Sequence, residues 1–145
     1  MSKLVFALMM TFSVGSCFAA EKHMHHGDAV VDERISLGLT PKMKQHQLSN
    51  MRSHVEAVRS IVGLIAVSDF EQASKIAHSK LGLTEEMKNM CDMFDNEKFK
   101  TLGMAFHKSG DELGDVLLKK DVTQSLQMLS RTMEYCVECH ATFRQ

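Results

Sequence analysis

The sequence contains no tryptophan, one proline and one tyrosine among its 145 residues. So few aromatic residues and prolines argue against a β protein with many turns and favour long helices. It also has no block of five basic residues, and 17 Lys and Arg stand against 18 Asp and Glu. The sequence therefore predicts no nucleic-acid partner.

Length and composition restrict the class of protein further. With 44% apolar and 24% charged residues, the chain is close to the average of soluble globular proteins, and its length suits one domain. The longest apolar stretch, from Leu4 to Phe12, is too short to cross a bilayer. We therefore predict an all-α domain without a membrane span.

The N-terminus has the features of a secretory signal peptide. Lys3 precedes the apolar stretch, and Cys17 and Ala19 provide small residues at the −3 and −1 positions of a cleavage site. The alternative is a lipoprotein signal in which Cys17 carries the lipid anchor. A cleaved signal predicts a periplasmic protein. We predict a signal peptide over 1–19, a flexible His-containing segment over 20–39 and a folded domain over 40–145.

The strongest motif lies at the C-terminus. Cleavage leaves an odd number of cysteines, which cannot form a complete disulfide framework. Residues 136–140 spell C-x-x-C-H, the attachment signature of haem c, and on a helix Cys136, Cys139 and His140 share one face. We predict one haem c, bound by two thioethers, with His140 as an iron ligand. A thioredoxin-like dithiol or a zinc site is the alternative, but neither a βαβ pattern nor further zinc ligands accompany the motif.

Heptad spacing of apolar residues predicts an antiparallel up-down-up-down four-helix bundle with the haem at one end. The second helix is expected after Ser68, which has capping-box spacing with Glu71, and an interruption is expected at Gly82. The stretch from Thr84 is counted with this helix, and a separate short helix is the alternative. The third helix is expected from about Asn96, weakening at Gly110. The first helix follows the N-cap Thr40 and carries Leu48, Met51, Val55, Val58, Val62 and Ile65. The last follows Asp121 and carries Leu126, Leu129, Met133, Cys136, His140 and Phe143.

The bundle topology also predicts which residues surround the haem. The first helix begins where the last one ends, so a second iron ligand is expected from its first turns. Met51 lies on the predicted inward seam and is our predicted ligand. His46 and His54 are predicted to face solvent or the flank of the helix. The further residues predicted to contact the haem are Leu48, Phe106, Met133 and Phe143.

The chain resembles the class II c-type cytochromes, the cytochrome c-prime family, from about Thr40 to Gln145. The resemblance rests on the terminal C-x-x-C-H-x-x-F-R at 136–144, whereas the first three helices match only in length and apolar spacing. It implies that Met51 is the sixth ligand of the low-spin branch, and it implies homodimers. Gln47 departs from the family, which often has Arg there.

The two branches of that family imply two functions. Low-spin iron with His140 and Met51 as ligands implies electron transfer with redox partner proteins. The alternative is a high-spin, five-coordinate protein that binds small gases such as NO or CO. We predict no enzyme activity, because no inward His is expected that would act as an acid or base.

Two features have no predicted role in haem binding, although Cys91 is expected near the haem end of the second helix. Cys91 is predicted to be a buried, inert thiol, with an intermolecular disulfide as the alternative. The tract His23-Met24-His25-His26 is predicted to be part of a solvated tail, with binding of Cu, Ni or Zn as the alternative.

Overall fold

The computed structural model describes residues 31–145. A compact unit spans Glu33–Gln145, so it begins ahead of the predicted domain start at Thr40. The predicted signal peptide, the alternative lipid anchor at Cys17 and the tract from His23 to His26 lie outside the described residues.

The described chain is mainly helical, and four helices pack together, which confirms the all-α prediction. Two short strands pair in parallel, Ile35 with Phe143 and Ser36 with Arg144. No helix among residues 31–145 combines the length and the apolar character that a bilayer span needs. The elements are β1 (Ile35–Ser36), α1 (Pro41–Ala66), α2 (Phe70–Ile76), a π-helical segment (Ala77–Leu81), α3 (Glu85–Asp92), α4 (Glu97–Leu117), α5 (Val122–Thr142) and β2 (Phe143–Arg144).

Side-chain caps fix where the helices begin. The Thr40 hydroxyl accepts a hydrogen bond from the Met43 amide at 3.3 Å, and Pro41 occupies the first turn, as predicted. The predicted cap of α2 at Ser68 is wrong by one residue, because Asp69 accepts from the Gln72 amide at 3.2 Å. Ser68 instead ends the preceding turn in the left-handed region, with φ of 61°.

The predicted second helix is divided into three pieces. The π-helical segment ends at Gly82, and α3 begins only after the cap Thr84, whose hydroxyl accepts from the Met87 amide at 3.2 Å. A short helix, α3, is thereby set apart from α2. By contrast, α4 continues through Gly110 without the predicted weakening.

The predicted seam of α1 is correct at the buried Ile65 and wrong by about one residue at three of its other positions. Val55 is 70% exposed, and Leu48 and Val62 are also exposed. Counting back by heptads from the buried Ile61 gives the inward positions His54 and Gln47. The pattern failed because it counted apolar residues only, and the inward face of α1 begins with polar side chains. The buried residues of α1 are Gln47, Ala57, Ile61 and Ile65.

The seam of α5 is displaced for a related reason. Leu126 and Met133 are exposed, whereas Ser125 and Thr132 are fully buried. Small hydroxyl side chains are accommodated there because they satisfy their own hydrogen bonds. Ser125 donates to the Asp121 carbonyl at 2.6 Å, and Thr132 donates to the Met128 carbonyl at 3.1 Å. A count of apolar residues does not detect such positions.

Glycines permit α4 to approach the π-helical segment closely. A Cβ placed on Gly110 would lie 2.5 Å from the carbonyl carbon and oxygen of Leu81, and one on Gly114 would overlap the ring of His78. The obstacle at Gly110 is backbone, which cannot turn aside as a side chain can. Gly110 therefore sets the distance between α4 and the π-helical segment.

We expect Gly110→Ala to lower the free energy of unfolding by about 1–3 kcal/mol, because overpacking exceeds the gain in helix propensity. Gly63→Ala is the matched control, since Gly63 lies in α1 and a Cβ added there would have no neighbour within 4 Å. That control should gain about 0.5–1 kcal/mol. Urea denaturation followed by circular dichroism measures both changes, and equal effects of the two substitutions would contradict the close approach at Gly110.

Candidate cofactor-binding site

A cavity of about 270 Å³ lies between α1, α3, α4 and α5. Its wall is mainly apolar, and each of the four helices contributes to it. The volume lies just below the range of about 300–1,000 Å³ that is usual for small-molecule sites in proteins. Representative apolar residues of the wall are Val58, Met90, Leu102, Phe106 and Met133.

All three functional residues of the C-x-x-C-H motif line this cavity. Cys136 and Cys139 are partly buried free thiols, and His140 is exposed at the rim. Burial raises the pKa of Cys139 to about 11, with smaller contributions from Cys136 and Glu138. Burial also raises the pKa of Cys136. Both sulfurs are therefore thiols and not thiolates at neutral pH.

The end of α5 is held by contacts beyond the motif. The Phe143 ring meets the Phe99 ring edge to face, with centroids 5.2 Å apart, and Cys139 packs against the same apolar cluster. The Arg34 guanidinium donates to the His140 carbonyl at 3.1 Å. Phe143 thus lies behind the cavity wall and does not line it, which differs from its predicted contact with the haem.

The other predicted contacts are divided between the cavity and the surface. Met51, Phe106 and Met133 line the cavity, as predicted. Leu48 does not line it and is 38% exposed. The buried Gln47 occupies the place on α1 where Leu48 was expected, because the helix is rotated relative to the predicted seam.

His54 lines the cavity, so its predicted orientation toward solvent or the flank is wrong. Its ring centroid lies 5.0 Å from that of Phe106 and 5.6 Å from that of His107. Burial lowers the pKa of His54 to about 4, and repulsion from His107 contributes. The imidazole is therefore neutral at pH 7. His46, on the same helix, is exposed as predicted.

His107 is a second inward histidine, which the apolar pattern of the sequence did not predict. It is 6% exposed and lines the cavity, and its Nδ1–H donates to the Leu81 carbonyl at 2.8 Å. Burial lowers the pKa of His107, although the bond to Leu81 opposes that shift. Because the carbonyl is an acceptor, the neutral ring carries its proton on Nδ1 and leaves Nε2 as an acceptor. The expectation of no inward His is therefore wrong.

Cys91, on α3, also lines the cavity and is 8% exposed, which confirms that it is buried. Burial raises the pKa of its thiol, and the nearby charge of Asp92 contributes. A protonated, inaccessible sulfur is a poor nucleophile. Its inertness stays a prediction.

Within residues 31–145, no cluster of three or more His, Cys, Asp or Glu side chains is placed to hold a metal ion. Comparisons of the chain with protein-family models, with curated proteins and with solved structures find no match.

We expect Cys91 in the folded protein to react with iodoacetamide at least about tenfold more slowly than an exposed thiol, because burial limits both its access and its ionisation. Pulse labelling at pH 8, followed by peptide mass spectrometry, measures the rate. The matched control is Cys91→Ser combined with Met93→Cys, because Met93 is 56% exposed two residues away. Equal labelling rates at the two positions would contradict the buried state of Cys91.

Proposed function

We propose that this protein is an exported monohaem c-type cytochrome that transfers electrons. The observation that carries the proposal is the cavity, because Cys136, Cys139 and His140 all line it. A covalently attached haem needs an apolar surface beside its attachment motif, and the wall of this cavity provides such a surface. The haem would supply a one-electron iron centre.

The chemistry of the donor set fits haem c. Cys136 and Cys139 are free thiols one helical turn apart, and both border the cavity. Each thioether would form by addition of S–H across a vinyl double bond, with sulfur bonding to one carbon and hydrogen to the other. This addition requires no oxidant. His140 would bind the iron through one ring nitrogen.

We also propose the up-down-up-down arrangement, with the haem at the end where α1 begins and α5 ends. Two contacts support this placement. The Lys44 ammonium donates to the Gln145 carbonyl at 3.4 Å, which brings the start of α1 close to the C-terminus. The Phe99–Phe143 ring contact brings the start of α4 to the same end.

Electron transfer is favoured over gas binding because Met51 lines the cavity from α1 while His140 lines it from α5. With both residues as ligands, the iron has no open position, and the thioether raises the reduction potential. The alternative is the high-spin protein that binds NO or CO, in which Met51 only packs. Neither role is enzymatic.

The location and the partners that we propose rest on the sequence and on its resemblance to class II cytochromes. The signal peptide directs the chain to the periplasm, where the haem is attached. Its partners would be redox proteins and a second copy of itself, and no nucleic acid is involved.

We expect the mature protein to carry the mass of one haem that resists acid–acetone extraction, because thioethers are covalent. Cys136→Ala combined with Cys139→Ala should abolish this added mass in intact-protein mass spectrometry. Cys91→Ala is the matched control and should retain it, since Cys91 lies outside the motif. A mature wild-type protein without bound haem would overturn the proposed cofactor.

We expect the oxidised holoprotein to show a low-spin optical spectrum with a thioether-to-iron charge-transfer band, and the reduced protein to bind little CO. Met51→Leu should remove the band because it removes the sulfur and keeps a similar volume. Met133→Leu, which changes a methionine in the α5 wall, should retain the band. A high-spin wild-type spectrum, ready CO binding and no effect of Met51→Leu would favour the gas-binding alternative instead.

A further inference from the structure

His54 has no structural task that accounts for its position. It lies one turn after Met51 on α1, and the two side chains line the same cavity. Its ring rests against Phe106 and His107 of α4. The side chain is partly buried, and its two ring nitrogens are open to the cavity or to solvent.

Within residues 31–145, the ring nitrogens of His54 form no hydrogen bond. The neutral ring therefore presents a free lone pair on one nitrogen and an unused N–H on the other. Neutral imidazole is the commonest metal ligand among protein side chains. His54 thus combines the chemical state of a ligand with a place in the wall of the proposed haem site.

The neighbouring His107 is a poorer candidate for the same task. Its Nδ1–H is held by the Leu81 carbonyl, and the side chain is almost fully buried. Its ring meets that of His54 nearly edge to face, with an interplanar angle of 77°. His107 therefore restricts the orientation of the His54 ring and is itself fixed in place.

We propose that His54 is a reserve axial ligand, which coordinates the haem iron whenever Met51 does not. The proposal rests on the haem site proposed above. In the exchange, the bond from the Met51 sulfur to iron breaks and a bond from an imidazole nitrogen forms. Both ligands are neutral, so neither an electron nor a proton is transferred. The site then stays closed to small ligands in two ligation states.

The two states differ in reduction potential, because imidazole stabilises the reduced iron less than a thioether does. A loss of Met51 ligation would therefore lower the potential without opening the iron to gases. This behaviour distinguishes the proposal from a purely structural role of His54, which would leave the iron open after the loss of Met51.

The test compares holoproteins of the full chain: wild type, Met51→Leu, His54→Leu and the double variant, with His46→Leu as the matched control at an exposed histidine of α1. Optical and electron paramagnetic resonance spectra, the midpoint potential and the rate of CO binding are measured. Haem content by mass confirms that each variant carries the cofactor.

We expect Met51→Leu to remain low-spin without the thioether band, to have a lower potential and to bind CO slowly. The double variant should become high-spin and bind CO at least about tenfold faster, since neither residue is then present to occupy the position. Added imidazole should return the double variant to a low-spin state, which shows that its fold and its pocket are intact. His54→Leu and His46→Leu should keep the thioether band.

The proposal is overturned if Met51→Leu alone is high-spin and binds CO as fast as the double variant, while the wild type keeps its thioether band. That result leaves the proposed electron-transfer function standing. A wild type without haem, or one that is already high-spin and open to CO, overturns both the reserve-ligand proposal and the proposed His/Met ligation.

Discussion

The close approach of α4 to the π-helical segment is the constraint on which the rest of the site depends. Gly110 makes it possible, because any side chain there would meet the Leu81 backbone. The approach is reinforced by Asp111, whose carboxylate lies 3.0 Å from His78 Nδ1 and accepts the Leu83 amide at 2.9 Å. The same Leu81 backbone accepts the hydrogen bond of His107. One contact region therefore fixes both the turn that precedes α3 and a histidine of the cavity wall.

This contact region positions the helices on both sides of the cavity. α3 is separated from α2 by Gly82 and the cap Thr84, and it carries Met90 and Cys91 into the wall. On the other side, the buried Thr132 shares its one hydroxyl proton between two acceptors, the Met128 carbonyl at 3.1 Å and the Ser109 carbonyl of α4 at 3.3 Å. α5 is thus fixed against α4 before the chain reaches the attachment motif. α1 lies opposite these fixed elements, and the cavity is the space between α1 and them.

The sequence was sufficient for the parts of the structure that depend on local chemistry. The cap at Thr40 was predictable because its side-chain oxygen lies three residues before the backbone amide that donates to it. The motif at 136–140 was predictable because residue types and spacing alone define it. The orientation of α1 required tertiary information. Apolar Leu48 and Val55 suggested one phase, but the packed Ala57 and Ile61 impose another, and no local rule ranks these pairs.

Polar residues in the interior explain the remaining errors. Ser125 and Thr132 are buried because their hydroxyls bond to carbonyls of their own helix, and a hydropathy pattern counts them as surface residues. His54 is inward because it lies one heptad before Ile61 on the same face of α1. At the position of His54 this face borders a cavity. Whether an inward polar side chain meets a core or a cavity is determined by the neighbouring helices, which the α1 sequence does not encode.

The pairing of β1 with β2 has a consequence for the order in which the molecule is completed. It joins the residues before α1 to the last residues of the chain, and the nearby bond from Arg34 to His140 spans 106 positions. Contacts between such distant segments carry a large loop-closure cost, and these cannot form until both segments have been synthesised. The end of α5, which carries the C-x-x-C-H motif, is therefore secured only after the chain has closed this long loop.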